Sequence, residues 1–268
     1  MLPQQANLKD KQYYYFEYSQ EFSFTLQYSS IPASPKTGDL VCAFTTRALG
    51  NMSLVYGDTF NSLNNRKSFL KVLGINYQDL VCAQQVHGSK ASYIEDKDKG
   101  KGALSDEDAF SNTDALITDK KNLPLAIFAA DCLSIFLYDP ATFSIGLVHA
   151  GWRSTKENIT TKTIQLMQEK FQTKTESLSV GFGPAIRACC YEVGKELKEY
   201  FSDCLSERNG RYYLDLVNAN KKQILDLGVK EANILDSGIC TSCKNEEFFS
   251  YRKARDSCGR LMSVIMLR

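Results

Sequence analysis

Apolar residues along the chain fall in short runs separated by polar, glycine-containing breaks, the pattern of a domain that mixes strands and helices. Residues 40–46 (LVCAFTT), 79–86 (DLVCAQQV), 114–118 (DALIT), 143–149 (FSIGLVH), 178–182 (LSVGF), 211–215 and 261–267 (LMSVIML) are predicted strands. The nearly unbroken run 123–138 (LPLAIFAADCLSIFLY), interrupted by Asp131, predicts two strands or one long bent strand in the middle of a sheet. Helical spacing predicts helices over 62–73, stopped by Gly74, over 155–171, over 193–204, and over 216–227 with Gly228 just past its end. The 155–171 helix places Ile159, Ile164, Leu166, Met167 and Phe171 roughly on one face, and Ser154 with Glu157 forms a capping-box pattern at its start.

Residues 1–39 are polar, aromatic and irregular. Tyr13, Tyr15, Phe22, Phe24, Leu26 and Tyr28 suggest short alternating strands there, punctuated by Pro32, Pro35 and Gly38. No repeat, low-complexity tract or linker divides the chain. Strands and helices intermingle without strict βαβ alternation. The expected fold is therefore a single α+β domain (α/β by some schemes) over residues 1–268, with a mixed β-sheet core flanked by helices and irregular N-terminal strands and loops over 1–39.

Composition narrows function more than fold. The 268 residues are 43% hydrophobic and 24% charged, which supports a sizeable core. With 32 basic and 31 acidic residues the net charge is +1, so no electrostatic case exists for a nucleic-acid or anionic-membrane partner. No apolar run reaches membrane-spanning length, and the N-terminus lacks the basic and then apolar regions of a signal peptide. The expected compartment is cytoplasmic. An odd total of nine cysteines fits reduced thiols better than a disulfide framework.

The chain has only two histidines, and both sit in apolar, motif-like segments. His87 ends the strand-like QQVHG, Cys132 lies in AADC, and His149 closes a strand at HAGWR. An ionisable group in such places costs free energy unless it is paired or metal-bound. Two imidazoles and a thiolate on separate strand ends suit one zinc ion with its fourth position open for chemistry. Taken singly, the same residues are equally well satisfied core histidines and an inert core cysteine. Cys132 with His149 also fits the thiolate–imidazole pair of a cysteine hydrolase. A metal-stabilised scaffold with four protein ligands is a third, non-enzymatic reading.

The GWRST segment after His149 offers a helix start beside Arg153, where an anion could dock, or a plain helix cap with a surface arginine. Arg47, Arg252 and Arg260 lie next to apolar strands and either complete such a site or are solvated. Cys240-Thr241-Ser242-Cys243 is a lone CxxC, read as structural, and Cys189-Cys190 as core-facing and loop thiols. Gly181-Phe182-Gly183 has neither a Walker lysine nor Rossmann glycine spacing. No GxSxG, HExxH or HxE…PCxxC pattern occurs, and the last absence removes the standard zinc deaminase with its glutamate proton shuttle.

QQVHG, AADC and HAGWRST, followed by GPAIRACCYEVG, LDLVNANKKQILDLGV and FFSYRKARDSCGRLMSVIML, run in order from about Phe44 to Leu267. In these segments the chain resembles the laccase-domain family, also described as multicopper polyphenol oxidase-like or purine nucleoside phosphorylase-type. The resemblance implies one α/β domain of mixed sheets flanked by helices. It implies zinc at His87, Cys132 and His149, and small-molecule substrates, a purine nucleoside and phosphate. No nucleic-acid or membrane partner is expected, and of the oligomeric states a monomer is favoured. The implied reactions are phosphorolysis of adenosine, inosine and methylthioadenosine to free base and ribose 1-phosphate, and adenosine deamination. Older descriptions of the family imply copper-dependent polyphenol oxidation, with copper as the possible metal. A cluster of several coppers needs many histidines, and this chain has two. Three catalytic residues are expected beside the metal: Asp131 to orient a ligand or shuttle a proton, Arg153 with the helix start at Ser154 to hold phosphate, and Arg47 in support. The chain departs from the family pattern at Ser154 and Arg187, where glycine is usual, and at Ala48-Leu49-Gly50 after FTTR.

Overall fold

Alternation within the predicted strands decides the architecture. In the computed structural model, which describes residues 12–19, 23–30 and 39–268, fifteen strands and six α-helices follow one another. The strands are β1 Gln12–Ser19, β2 Ser23–Ser30, β3 Leu40–Thr45, β4 Val81–Cys82, β5 Ala91–Tyr93, β6 Ala115–Thr118, β7 Leu125–Ala129 and β8 Leu133–Asp139. They continue as β9 Ser144–Ala150, β10 Ser179–Phe182, β11 Glu192–Val193, β12 Leu205–Arg208, β13 Arg211–Leu214, β14 Ile234–Asp236 and β15 Leu261–Leu267. The helices are α1 Thr59–Val72, α2 Trp152–Lys156, α3 Ile159–Phe171, α4 Lys198–Phe201, α5 Leu216–Asp226 and α6 Tyr251–Ala254.

Two six-stranded sheets dominate, ordered β2-β1-β3-β15-β7-β4 and β14-β10-β8-β9-β6-β5. Both are mixed: β4–β7, β5–β6 and β10–β14 pair in parallel, the other neighbours antiparallel. Along β3, Leu40, Cys42 and Phe44 point one way and Val41 and Ala43 the other, and all are buried. The first set meets Phe136, Tyr138, Ile145 and Leu147 of the second sheet. The second set meets Phe69, Leu70 and Leu73 of α1. The far face of the second sheet, including Ile135, Leu137 and Val148, packs on Ile159, Ile164 and Met167 of α3 and Ile224 of α5. The result is four layers, helix, sheet, sheet and helices, with the central strands β3, β8, β9 and β15 buried on both faces. Each fully buried Leu, Ile or Phe contributes about 1.5–3 kcal/mol. A small sheet, β11-β13-β12, lies outside these layers.

The mixed sheets flanked by helices bear out the expected α+β fold. The 123–138 run proves to be two strands, and they belong to different sheets: β7 to the first and β8 to the second. The chain crosses between the sheets at Ala130-Asp131-Cys132, with Asp131 in the left-handed region at φ 84°.

Four local expectations are corrected. Only Val81–Cys82 of 79–86 pairs as strand. Beyond it Gln85 completes the edge with its side chain, donating to the Phe128 carbonyl at 2.7 Å and accepting from the Phe128 N–H at 2.7 Å. The 155–171 helix is two helices, because Asn158 adopts φ 60° between α2 and α3. Its first part starts at Trp152 with Gly151 as N-cap, so Ser154 is a first-turn residue whose Oγ accepts the Gly151 N–H at 2.9 Å. The 193–204 helix is broken into β11, α4 and flanking 3-10 turns, since Gly194 takes an extended conformation after the pairing of Val193 with Tyr212.

The N-terminal aromatics do lie in strands, β1 and β2, each eight residues long. Phe22, Pro32, Pro35 and Gly38 lie outside the described residues. Among the described residues, no helix is long and apolar enough to cross a membrane.

Candidate metal centre

Strand register brings the candidate ligands together. The β8–β9 pairing sets Leu133 opposite Ala150, which places Cys132 beside Gly151 and near His149. The β6–β9 pairing sets Ala115 opposite Val148, which places Asp114 across from His149. His87 arrives from the loop after β4, itself in the left-handed region at φ 60°. The ligand atoms of His87, Cys132 and His149 all lie within 4.8 Å of one another. Cys132 Sγ is 3.7 Å from His87 Nε2, and the two imidazole centroids are 4.9 Å apart at 71°. Exposure grades inward, with His87 exposed, Cys132 intermediate and His149 buried.

Asp114 organises the centre. It is fully buried, and its Oδ1 lies 2.9 Å from His149 Nδ1. It also accepts the N–H groups of Val86 (3.2 Å), His87 (3.0 Å) and Gly88 (2.8 Å). One carboxylate therefore fixes the ring of one histidine and the backbone of the other. Its hold on Nδ1 leaves His149 Nε2 as the nitrogen for a metal. Sequence reasoning assigned Asp114 no role. The available signal was an aspartate opening an otherwise apolar strand. Burial alone would raise its carboxyl, but His149 and the backbone N–H donors outweigh burial and hold it below the ordinary carboxylate range.

Two further residues complete the frame. A Cβ on Gly151 would lie 2.9 Å from His87 Cδ2 and 3.1 Å from Cys132 Sγ, so only glycine lets the strand end approach the ligands. Asp131, beside Cys132, directs its carboxylate away from bulk water: Oδ1 accepts from Thr241 Oγ1 and Oδ2 from the Arg252 N–H, each at 2.6 Å. These bonds fix the left-handed crossover and with it the direction of the Cys132 side chain.

The electrostatics suit a thiolate. Burial opposes ionisation of Cys132, but His149 and His87 overcome it and bring the thiol down to about 6. Burial likewise opposes charge on His149, and Cys132 and Asp114 raise it to about 9. Two nitrogens and a sulfur at these separations match a metal with N and S bonds of about 2.0–2.3 Å. The three residues fit a metal ion.

The centre forms the floor of a cleft of about 890 Å³, within the range of small-molecule sites. Arg153, Arg252, Arg255 and Arg260 line it, with Trp152 and Tyr191, and Glu192 and Asp256 supply acidic groups on the same walls. Burial and the neighbouring Cys132 charge push the Tyr191 phenol well above its ordinary value, so it keeps its proton as a donor. Arg153 is exposed, its guanidinium 4.5 Å from the Trp152 ring. Arg47 is not among the lining residues; its Nη1 donates to the Asn245 carbonyl at 2.9 Å. Arg187 also turns away, gripping Asp236 and the Ile239 carbonyl. The structure thus gathers Asp131, Arg153 and the three ligands, adds Arg252 and Arg260, and leaves Arg47 aside.

A four-layer domain with a His-Cys-His cluster at an inter-sheet crossover, opening into a cleft of small-molecule size, defines the class of fold. The profile of the family described as multi-copper polyphenol oxidoreductase laccase matches residues 42–268, and the chain belongs to that family. A purine nucleoside phosphorylase YlmD of Geobacillus stearothermophilus is 34% identical over 225 residues, covering 80% of this chain and 82% of that protein. The crystal structure of YlmD from that species superposes with a TM-score of 0.83 at 32% identity, covering 88% of this chain and 94% of that one. An adenosine deaminase RL5 from an unknown prokaryotic organism is 29% identical over 217 residues, covering 78% of this chain and 82% of that protein.

Proposed function

We propose that the chain is a zinc-dependent purine nucleoside enzyme. It cleaves adenosine, inosine and methylthioadenosine with phosphate to the free base and ribose 1-phosphate, and it also deaminates adenosine. The convergence of His87, Cys132 and His149 at the floor of an arginine-lined cleft carries this reading. A zinc ion held by those three residues supplies Lewis acidity toward an oxygen of substrate or water.

In phosphorolysis a phosphate oxygen bonds to the ribose C1′ while the bond from C1′ to the purine nitrogen breaks. The base departs with that electron pair and takes up a proton. Arg153 is the residue for phosphate. Arg252 and Arg260 fill the supporting part expected of Arg47, because they line the cleft and Arg47 does not. Trp152 and Tyr191 offer ring faces and a phenol donor to the purine. Asp131 acts as a positioning residue, since both of its oxygens already hold neighbouring loops. In deamination the oxygen of water replaces the C6 amino group, which leaves as ammonia.

Nine free cysteines suit a reducing, cytoplasmic setting, and a monomer acting without nucleic acid or membrane is the working state. A copper-cluster polyphenol oxidase is disfavoured by a total of two histidines.

The lowered Cys132 thiol beside His149 favours one second reading, a cysteine hydrolase. Product analysis decides between them. Adenosine with inorganic phosphate is expected to yield adenine with ribose 1-phosphate, and inosine from the deamination arm. Absence of both products, together with a covalent adduct on Cys132 from an electrophilic ester, would overturn the phosphorylase reading in favour of the hydrolase.

A further inference from the structure

Four cysteines that play no part in the His-Cys-His centre meet at a second point. Cys189 and Cys190 follow β10, and Cys240 and Cys243 follow β14. The loops that carry them lie side by side through an Ala185–Cys240 bridge, with Thr241 N donating to Ala185 O at 3.1 Å and Ala185 N to Ile239 O at 3.2 Å. The four sulfurs all lie within 4.8 Å of one another. Cys243 Sγ is 3.3 Å from Cys190 Sγ and 3.5 Å from Cys189 Sγ.

That arrangement has the size of a metal shell. Sulfurs around zinc at about 2.3 Å stand about 3.8 Å apart along each tetrahedral edge. A disulfide joins sulfurs in pairs at about 2.05 Å and does not require four of them to be mutual neighbours. Cys240-Thr241-Ser242-Cys243 has the two-residue spacing of structural zinc ligands.

We propose that Cys189, Cys190, Cys240 and Cys243 bind a second metal ion, a closed structural zinc with four protein ligands. Its location gives it a task. Ile186 N donates to the Asp131 carbonyl at 2.9 Å, and Thr241 Oγ1 donates to the Asp131 carboxylate at 2.6 Å. The two loops that grip the crossover residue are the two that this ion ties together. The ion therefore clamps Asp131, and through it the direction of Cys132.

Zinc analysis of the full chain, purified under reducing conditions without chelator, tests this independently of any activity. The wild type is expected to hold twice the zinc of Cys243→Ser, and Cys132→Ala is expected to retain the second ion. Cobalt(II) loaded into Cys132→Ala should show the intense visible and near-ultraviolet bands of a tetrathiolate site. The four thiols should resist alkylation until a strong chelator is added. The proposal is overturned if Cys132→Ala binds no metal while all four thiols alkylate freely. It is equally overturned if mass spectrometry finds them paired as disulfides in the reduced preparation. Because Cys243 and Cys189 are exposed, serine at either position leaves the core layers intact, and Cys189→Ser serves as the second variant.

Discussion

At the scale of single residues, the three side chains of the candidate centre were legible and their supports were not. His87, Cys132 and His149 stood out because ionisable groups interrupt apolar runs, a signal carried by the residue itself. Asp114 and Gly151 act only through strand register. One sits across from His149 in β9, the other within contact of two ligands from separate loops. Asp114→Asn is expected to weaken metal affinity about 10–100-fold, read by competition with a chromogenic chelator. The same residue shapes acid stability. Its carboxyl is held below the ordinary value, so its contribution is present above about pH 4 and lost as pH falls through the depressed value. Denaturant midpoints of the metal-free protein should therefore fall less steeply with acid in Asp114→Asn than in the wild type. Gly151→Ala is expected to displace His87 and Cys132 and to lower bound metal in purified protein, with the far-ultraviolet spectrum unchanged.

At the scale of elements, long apolar patterns were read well and short or strained ones were not. β15 matched its predicted span because seven buried residues alternate between the inter-sheet core and the α1 layer. The missed boundaries share a cause. His87 and Asn158 take positive φ, which side-chain type announces poorly, and Gln85 finishes an edge with an amide that no strand pattern contains. The cysteine-bearing loops illustrate the same limit. A lone CxxC looked merely structural because Cys189 and Cys190 are distant in sequence; Cys189 is exposed and Cys190 half-buried, neither packed in the core. Between the sheets, Phe136 is fully buried with its ring 5.3 Å from that of Phe16. Phe136→Ala is expected to cost about 3–5 kcal/mol, measured by urea unfolding. A loss below about 1 kcal/mol would contradict the packing described for this interface.

At the scale of the whole molecule, the fold explains why chemistry sits where it does. Two sheets pack face to face, and the crossover that leads directly from β7 to β8 frees backbone from both ladders. Asp131 and Cys132 occupy that break, the end of β9 closes one side, and the cleft opens above. The mixed architecture could be read from patterning, whereas the gathering of arginines from distant segments required the three-dimensional path. Metal binding should also stabilise the folded chain, because its ligands converge only there. At a free zinc concentration of 100 times Kd the gain is about 2.7 kcal/mol per site, visible as a chelator-reversible rise in Tm. The central claim is that the His87-Cys132-His149 centre carries the chemistry. Its most direct test is the rate of adenine release from adenosine and phosphate by Cys132→Ala, compared with zinc-loaded wild type at equal folded concentration. Turnover is expected to vanish with the metal of that centre; near-normal turnover by the variant lacking it would contradict the account.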